Sequence, residues 1–214
     1  PFVSSMNMNT SASHLLGLLL LTTLLTGCGK QSPADWPALS ADAVILAFGD
    51  SLTYGTGARR DSSYPAELQR LSQRQVINAG ISGELSANGL ARLPDLLNKH
   101  QPDLMILCHA GNDILRKKDE QQTATNLRRM IALAKERNVQ VVMLGVPAFG
   151  LRMQTADFYD DIAADAGILY LPDLVSEVLA ERRYKSDSVH PNAAGYKVMA
   201  EAIHAALRET GALP

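Results

Sequence analysis

The residues most suited to chemistry are a serine at a turn, a distant histidine, and an acid three positions before that histidine. Gly49-Asp50-Ser51-Leu52-Thr53 sets Ser51 where an apolar run gives way to a helical pattern. A hydroxyl there sits near a helix N-terminus, which favours developing negative charge. Serine is a weak nucleophile until a base takes its proton, and histidine is the usual base. Asp187-Ser188-Val189-His190-Pro191 supplies that base in His190. Asp187 is spaced to fold back on the imidazole and fix its tautomer, while Pro191 stiffens the entry to a final helix. Each block alone has a plainer reading: an N-capping serine, and a helix-capping acid beside a surface histidine.

Attack on an acyl carbonyl also needs donors for the resulting oxyanion. The loop Asn78-Ala79-Gly80-Ile81-Ser82-Gly83 offers the backbone N–H of Gly80, and Gly111-Asn112-Asp113 offers the Asn112 amide. The other histidines compete poorly. His14 lies in an apolar leader, His100 ends a helix, and His204 has no acid three residues before it. His109 stands beside the site, with packing or hydrogen bonding to a loop as its expected role. Cys108 is expected to be a buried apolar thiol, not a nucleophile.

These clusters must be brought together by the elements that carry them. Continuous apolar runs of strand length lie at 43–48, 75–78, 104–108, 139–146 and 168–171. Between them, Leu90, Leu93, Leu96 and Leu97 mark one helix face, as do Leu127, Met130, Ile131 and Ala134. Asn192 is placed to cap a last helix whose Ala194, Val198, Ala202 and Ala206 repeat every four residues. Strand–helix alternation of this kind predicts an α/β fold: a three-layer α/β/α sandwich on a five-stranded parallel sheet in the flavodoxin-like order 2-1-3-4-5. Ligands in such sheets sit beyond the carboxyl ends of the strands, where the Ser51, Gly80 and Asn112 clusters all fall.

The chain of 214 residues is 46% apolar and 20% charged, with a formal charge of −2. That suffices for one domain with a full core and gives no electrostatic footprint for nucleic acid. Two cysteines cannot build a disulfide framework or a structural zinc site. Residues 1–27 hold no Asp, Glu, Lys or Arg and include an apolar run from Leu15 to Leu25, too short to span a bilayer and right for a signal-peptide core. Leu25-Thr26-Gly27-Cys28 resembles the bacterial lipobox, in which the cysteine is acylated. The expected organisation is a lipoprotein-type signal peptide at 1–27 (with 1–5 as extra upstream residues), a lipidated Cys28 and tether over 28–40, and the domain over 41–214. With Gly29 after the cysteine, the expected location is periplasmic, lipid-anchored at the outer membrane of a Gram-negative bacterium.

Taken together and in this order, the blocks resemble the GDSL, or SGNH, hydrolase family from Val44 to about Ile203. Its signature residues match Ser51, Gly80, Asn112 and His190, and its triad acid matches Asp187. Within the family, the stretch from Asn78 to Leu97 is most similar to bacterial thioesterase/lysophospholipase and arylesterase members. The resemblance implies hydrolysis of small-molecule acyl or aryl esters, with thioesters and lysophospholipids as further classes. It implies an acyl-serine intermediate with no cofactor and no metal. Asp50, Leu52, Ile81, Asp113, Pro147 and Phe149 are expected to contact substrate. Two stretches depart from the thioesterase pattern: Cys108-His109-Ala110, where those members commonly carry Glu-Leu-Gly, and the loop Pro147–Arg152. The rival readings are a carbohydrate O-deacetylase on the same fold and an inactive lipid-binding module of the envelope. An α/β-hydrolase lipase is excluded, because position 53 is Thr instead of the Gly that its nucleophile turn requires.

Overall fold

A computed structural model describes residues 36–148 and 154–214. The expected signal peptide, Cys28 and Phe149 fall outside these residues. Strand β1 (Val44–Gly49) leads into the short helix α1 (Ser51–Tyr54) and then α2 (Tyr64–Ser72). Next come β2 (Gln75–Gly80), α3 (Ser86–His100), β3 (Leu104–Cys108), α4 (Gly111–Leu115), α5 (Glu120–Lys135) and β4 (Gln140–Leu144). A two-residue antiparallel pair follows, β5 (Pro147–Ala148) with β6 (Gln154–Thr155). The chain finishes with α6 (Phe158–Ala166), β7 (Leu169–Leu171), α7 (Leu174–Ala180) and α8 (Ala193–Glu209).

The main sheet is wholly parallel in the order β2-β1-β3-β4-β7, which is 2-1-3-4-5 when its five strands are counted alone. Its middle strands are continuously apolar because both faces are covered. Ile45, Leu46, Phe48, Leu104, Met105 and Ile106 have no exposed surface. Helix α2 packs with α8 and α7 on one face, and α3 with α5 and α6 on the other, giving the three layers. The apolar face of α5 is buried as its spacing predicts. On α8 the buried stripe is Tyr196, Met199, Ala200, Ile203, Ala206 and Leu207; of the expected positions Ala206 is buried, Val198 and Ala202 are half-buried against the core, and Ala194 is exposed. Large side chains gain more from burial than alanines do, so they set the rotation of the helix.

The tether expectation needs correcting at its C-terminal end. Trp36 N–H donates to the Thr210 carbonyl and Leu39 N–H to that of Ala212, both at 2.9 Å, and Leu39 itself is buried. Pro-rich composition signalled a linker here, but these backbone bonds make residues 36–39 part of the domain. No helix among the described residues is long and apolar enough to cross a membrane.

Candidate active site

Ser51 opens α1 directly after β1, and the turn is fixed from below. Asp50 Oδ1 accepts the Leu52 N–H at 3.2 Å, while Oδ2 accepts the Gly111 N–H at 3.0 Å. One buried carboxylate therefore joins the turn bearing Ser51 to the turn bearing Asn112. Burial raises the Asp50 carboxyl above its ordinary value, in part offset by these two donors. As the first residue of its helix, Ser51 also keeps its own N–H clear of the intrahelical ladder.

The histidine arrives from the other end of the chain. The turn from Asp187 to His190 is closed at its base, where Ser186 N–H donates to the His190 carbonyl at 3.0 Å and Lys185 bridges to Pro191. Asn192 caps α8 by accepting the Gly195 N–H and also donates to the carbonyls of Arg183 and Lys185. Tyr196, one turn into α8, donates its hydroxyl to the Thr56 carbonyl at 2.7 Å and so holds this region to the loop after α1. The result is a continuous relay. Ser51 Oγ lies 3.0 Å from His190 Nε2, and His190 Nδ1 lies 2.8 Å from Asp187 Oδ2. Asp187 Oδ1 accepts the N–H groups of Val189 and His190, each at 2.8 Å. Partial burial pulls the Asp187 carboxyl upward, but the His190 contact and the two N–H donors outweigh it and hold the group below its ordinary value.

Ser51, Leu52, Asn112, Leu115, Val189 and His190 line a shallow pocket over this relay, with Asp50 and Gly111 at its floor. The expected contacts divide accordingly. Asp113 turns inward, taking the Ser86 N–H and hydroxyl at 2.8 and 2.7 Å, so it braces the start of α3 and does not face substrate. Asp50 lines the pocket, but both of its carboxylate oxygens are taken by protein donors. Pro147 is buried in its pairing with β6 and is not among the residues that line the pocket. Ile81 is exposed on the loop after β2, at 46%.

Gly80 also needs correcting. Its N–H, expected to be free, donates to Asn78 Oδ1 at 3.1 Å, and its Cα is pressed against the Tyr54 backbone. The glycine three residues later is the better donor. Gly83 adopts φ +80°, and among the described residues no acceptor takes its N–H. It sits between the two turns, its carbonyl bound by Arg116 just after α4 and its neighbour Ser82 bound to Thr56 just after α1. The sequence reading picks Gly80 from a loop that holds both glycines; only the positive φ marks Gly83. Cys108 is fully buried, and burial together with nearby Asp50 pushes its thiol far above the ordinary range. Among the described residues no group of three or more His, Cys, Asp or Glu is arranged to hold a metal.

This geometry agrees with what the chain is similar to. The GDSL-like Lipase/Acylhydrolase family matches residues 47–198. An arylesterase from Vibrio mimicus is 32% identical over 177 residues, covering 78% of this chain and 88% of that protein. The thioesterase 1/protease 1/lysophospholipase L1 of Escherichia coli strain K12 is 35% identical over 163 residues, covering 72% and 78%. The crystal structure of TesA superposes with a TM-score of 0.70 at 30% identity, covering 78% of this chain and 99% of that one. The chain belongs to the GDSL-like lipase/acylhydrolase family and is a carboxylic ester hydrolase.

Proposed function

We propose that ester hydrolysis here proceeds through an acyl intermediate on Ser51. The observation that carries this reading is the relay from Ser51 Oγ to His190 Nε2 to Asp187, at 3.0 and 2.8 Å. With Nδ1–H donated to Asp187, His190 presents the Nε2 lone pair to the hydroxyl. Ser51 Oγ bonds to the acyl carbon as its proton passes to Nε2, and the carbonyl electrons move onto oxygen. The N–H groups of Ser51 and Gly83 and the Asn112 amide meet that oxyanion. Collapse breaks the bond to the leaving oxygen or sulfur, which takes the proton from His190. Water then repeats the sequence, releasing the acid and restoring the serine.

The substrates are small-molecule acyl and aryl esters, with acyl thioesters and lysophospholipids as finer classes. Leu115 in the pocket wall, 47% exposed, and Ile81 on the neighbouring loop favour apolar acyl groups over acetylated carbohydrate. The same reading makes the protein a lipoprotein, acylated at Cys28 and held at the periplasmic side of an outer membrane. The uncharged leader and the lipobox-like Leu25–Cys28 support it. In cells, palmitate labelling of wild type and not of Cys28→Ala is the expected result.

Hydrolysis of p-nitrophenyl esters from acetyl to palmitoyl by the wild type and by Ser51→Ala tests the chemistry. Turnover should vanish in the variant and favour chains longer than acetyl in the wild type. Equal rates for the two proteins would discard the serine mechanism, and activity on acetyl alone would discard the acyl-lipid preference.

A further inference from the structure

Beneath the pocket lies a buried cluster that the proposed mechanism does not use. Glu84 accepts Arg92 Nε and Nη2 at 2.7 and 2.6 Å and contacts His109 Nε2 at 3.2 Å. Glu84 is 8% exposed and His109 not at all. Arg92 Nη2 also reaches the carbonyls of Ala79 and Gly49, at 2.9 and 3.3 Å. The other imidazole nitrogen, His109 Nδ1, accepts the N–H of Ala110 at 2.8 Å, so it carries no proton and Nε2–H is donated to Glu84. From the opposite side, the Tyr159 hydroxyl donates to the His109 carbonyl at 2.6 Å. The peptide joining His109 to Ala110 is thus clamped at both its C=O and its N–H.

That peptide is where the backbone needs holding. Ala110 lies at φ +80°, ψ 2°, a conformation alanine rarely adopts, and it is the N-cap of the helix carrying Asn112. We propose that His109 is a positioning residue whose imidazole keeps Ala110 in this left-handed turn and thereby aims the Asn112 amide into the pocket. The proposal rests on Asn112 serving as an oxyanion donor. The surrounding structure is shaped to keep the ring in place: on α3, a Cβ at Gly89 would collide with His109 Nε2, so only glycine lets the ring sit there.

The test separates the two ring contacts and then makes one of them unnecessary. Asn at position 109 can present its amide oxygen where Nδ1 stands, whereas Gln reaches only toward Glu84. His109→Gln is expected to lower kcat by up to about 10²-fold at nearly constant KM, the signature of a misaimed transition-state contact. His109→Asn should retain most of kcat. In an Ala110→Gly background, where the left-handed turn no longer needs holding, His109→Gln should cost far less. Rates are referred to active sites counted with a serine-directed phosphonate, so loss of folded protein does not mimic the effect. The same loss whether residue 110 is Ala or Gly overturns the proposal, as does His109→Gln acting on KM alone. Asn112→Ala tells the two failures apart. If it lowers kcat while residue 110 makes no difference to His109→Gln, positioning alone fails; if it leaves kcat untouched, the oxyanion reading fails and takes the proposal with it.

Discussion

Two histidine–carboxylate pairs stand near the carboxyl ends of the central strands, and they are wired in opposite senses. His190 gives Nδ1 to Asp187 and turns Nε2 toward Ser51. His109 gives Nε2 to Glu84 and turns Nδ1 back onto the neighbouring backbone N–H. The first pair stands at the rim, its Asp187 side chain 52% exposed; the second is dry, with the Glu84 side chain alone at 5%. The same two chemical groups are therefore placed to act as the proposed base in one place and the proposed brace in the other. What separates them is which lone pair remains to face a hydroxyl, and whether a proton can leave.

That contrast should appear as a crossover between activity and stability. The largest expected effect is on the exposed pair: His190→Ala should lower kcat by about 10⁶-fold and Asp187→Asn by about 10⁴-fold. Melting temperatures should stay near wild type, because exposed pairs contribute little to folding. An Asp187→Asn enzyme with full turnover on p-nitrophenyl esters would break the comparison on this side. On the other side, Glu84→Ala leaves Arg92 and His109 without their shared partner and should remove about 3 kcal/mol of unfolding free energy. Urea denaturation reads this directly, and an unmoved midpoint would show that the cluster braces nothing.

Acid sharpens the same point. Burial pulls the Glu84 carboxyl upward, but its bonds to His109 and Arg92 prevail and leave it below its ordinary value. Its contribution is therefore fully present above the unfolded value of about 4.3 and fades as pH falls through the lower folded one. The stability gap between wild type and Glu84→Gln should accordingly be widest near neutrality and narrow below about pH 4. A gap that grows on acidification would reverse the assignment. The smallest effect concerns Cys108, buried at the end of β3 beside His109: with its thiol buried and protonated, a maleimide should leave turnover unchanged while the protein stays folded. Rapid inactivation that substrate prevents would place the thiol at the site.

The strand order and the relay were readable in the sequence because each rests on short-range signals. Apolar runs of strand length alternate with helical spacing, and Asp187 and His190 need only one turn to meet. Ser51 was marked by the turn it occupies. What escaped depended on where side chains spend their hydrogen bonds, which residue type and spacing do not state. Which glycine keeps a free N–H turns on Asn78 folding back to Gly80. Asp50 and Asp113 look like site residues because they flank Ser51 and Asn112, yet each is consumed by N–H groups that the fold brings to it. The docking of Trp36 and Leu39 is backbone-to-backbone, and composition carries no trace of such bonds.

That last contact also decides how the domain can be handled. Trp36 and Thr210 are bonded to each other, so the first and last described segments converge on one patch, ahead of the amino end of β1. Ser51 lies past the opposite end of that strand, a six-residue span of about 20 Å. A fusion partner or solid support joined near either segment would be carried on the reverse side from the pocket, leaving the catalytic rim free to meet bulky or aggregated substrates.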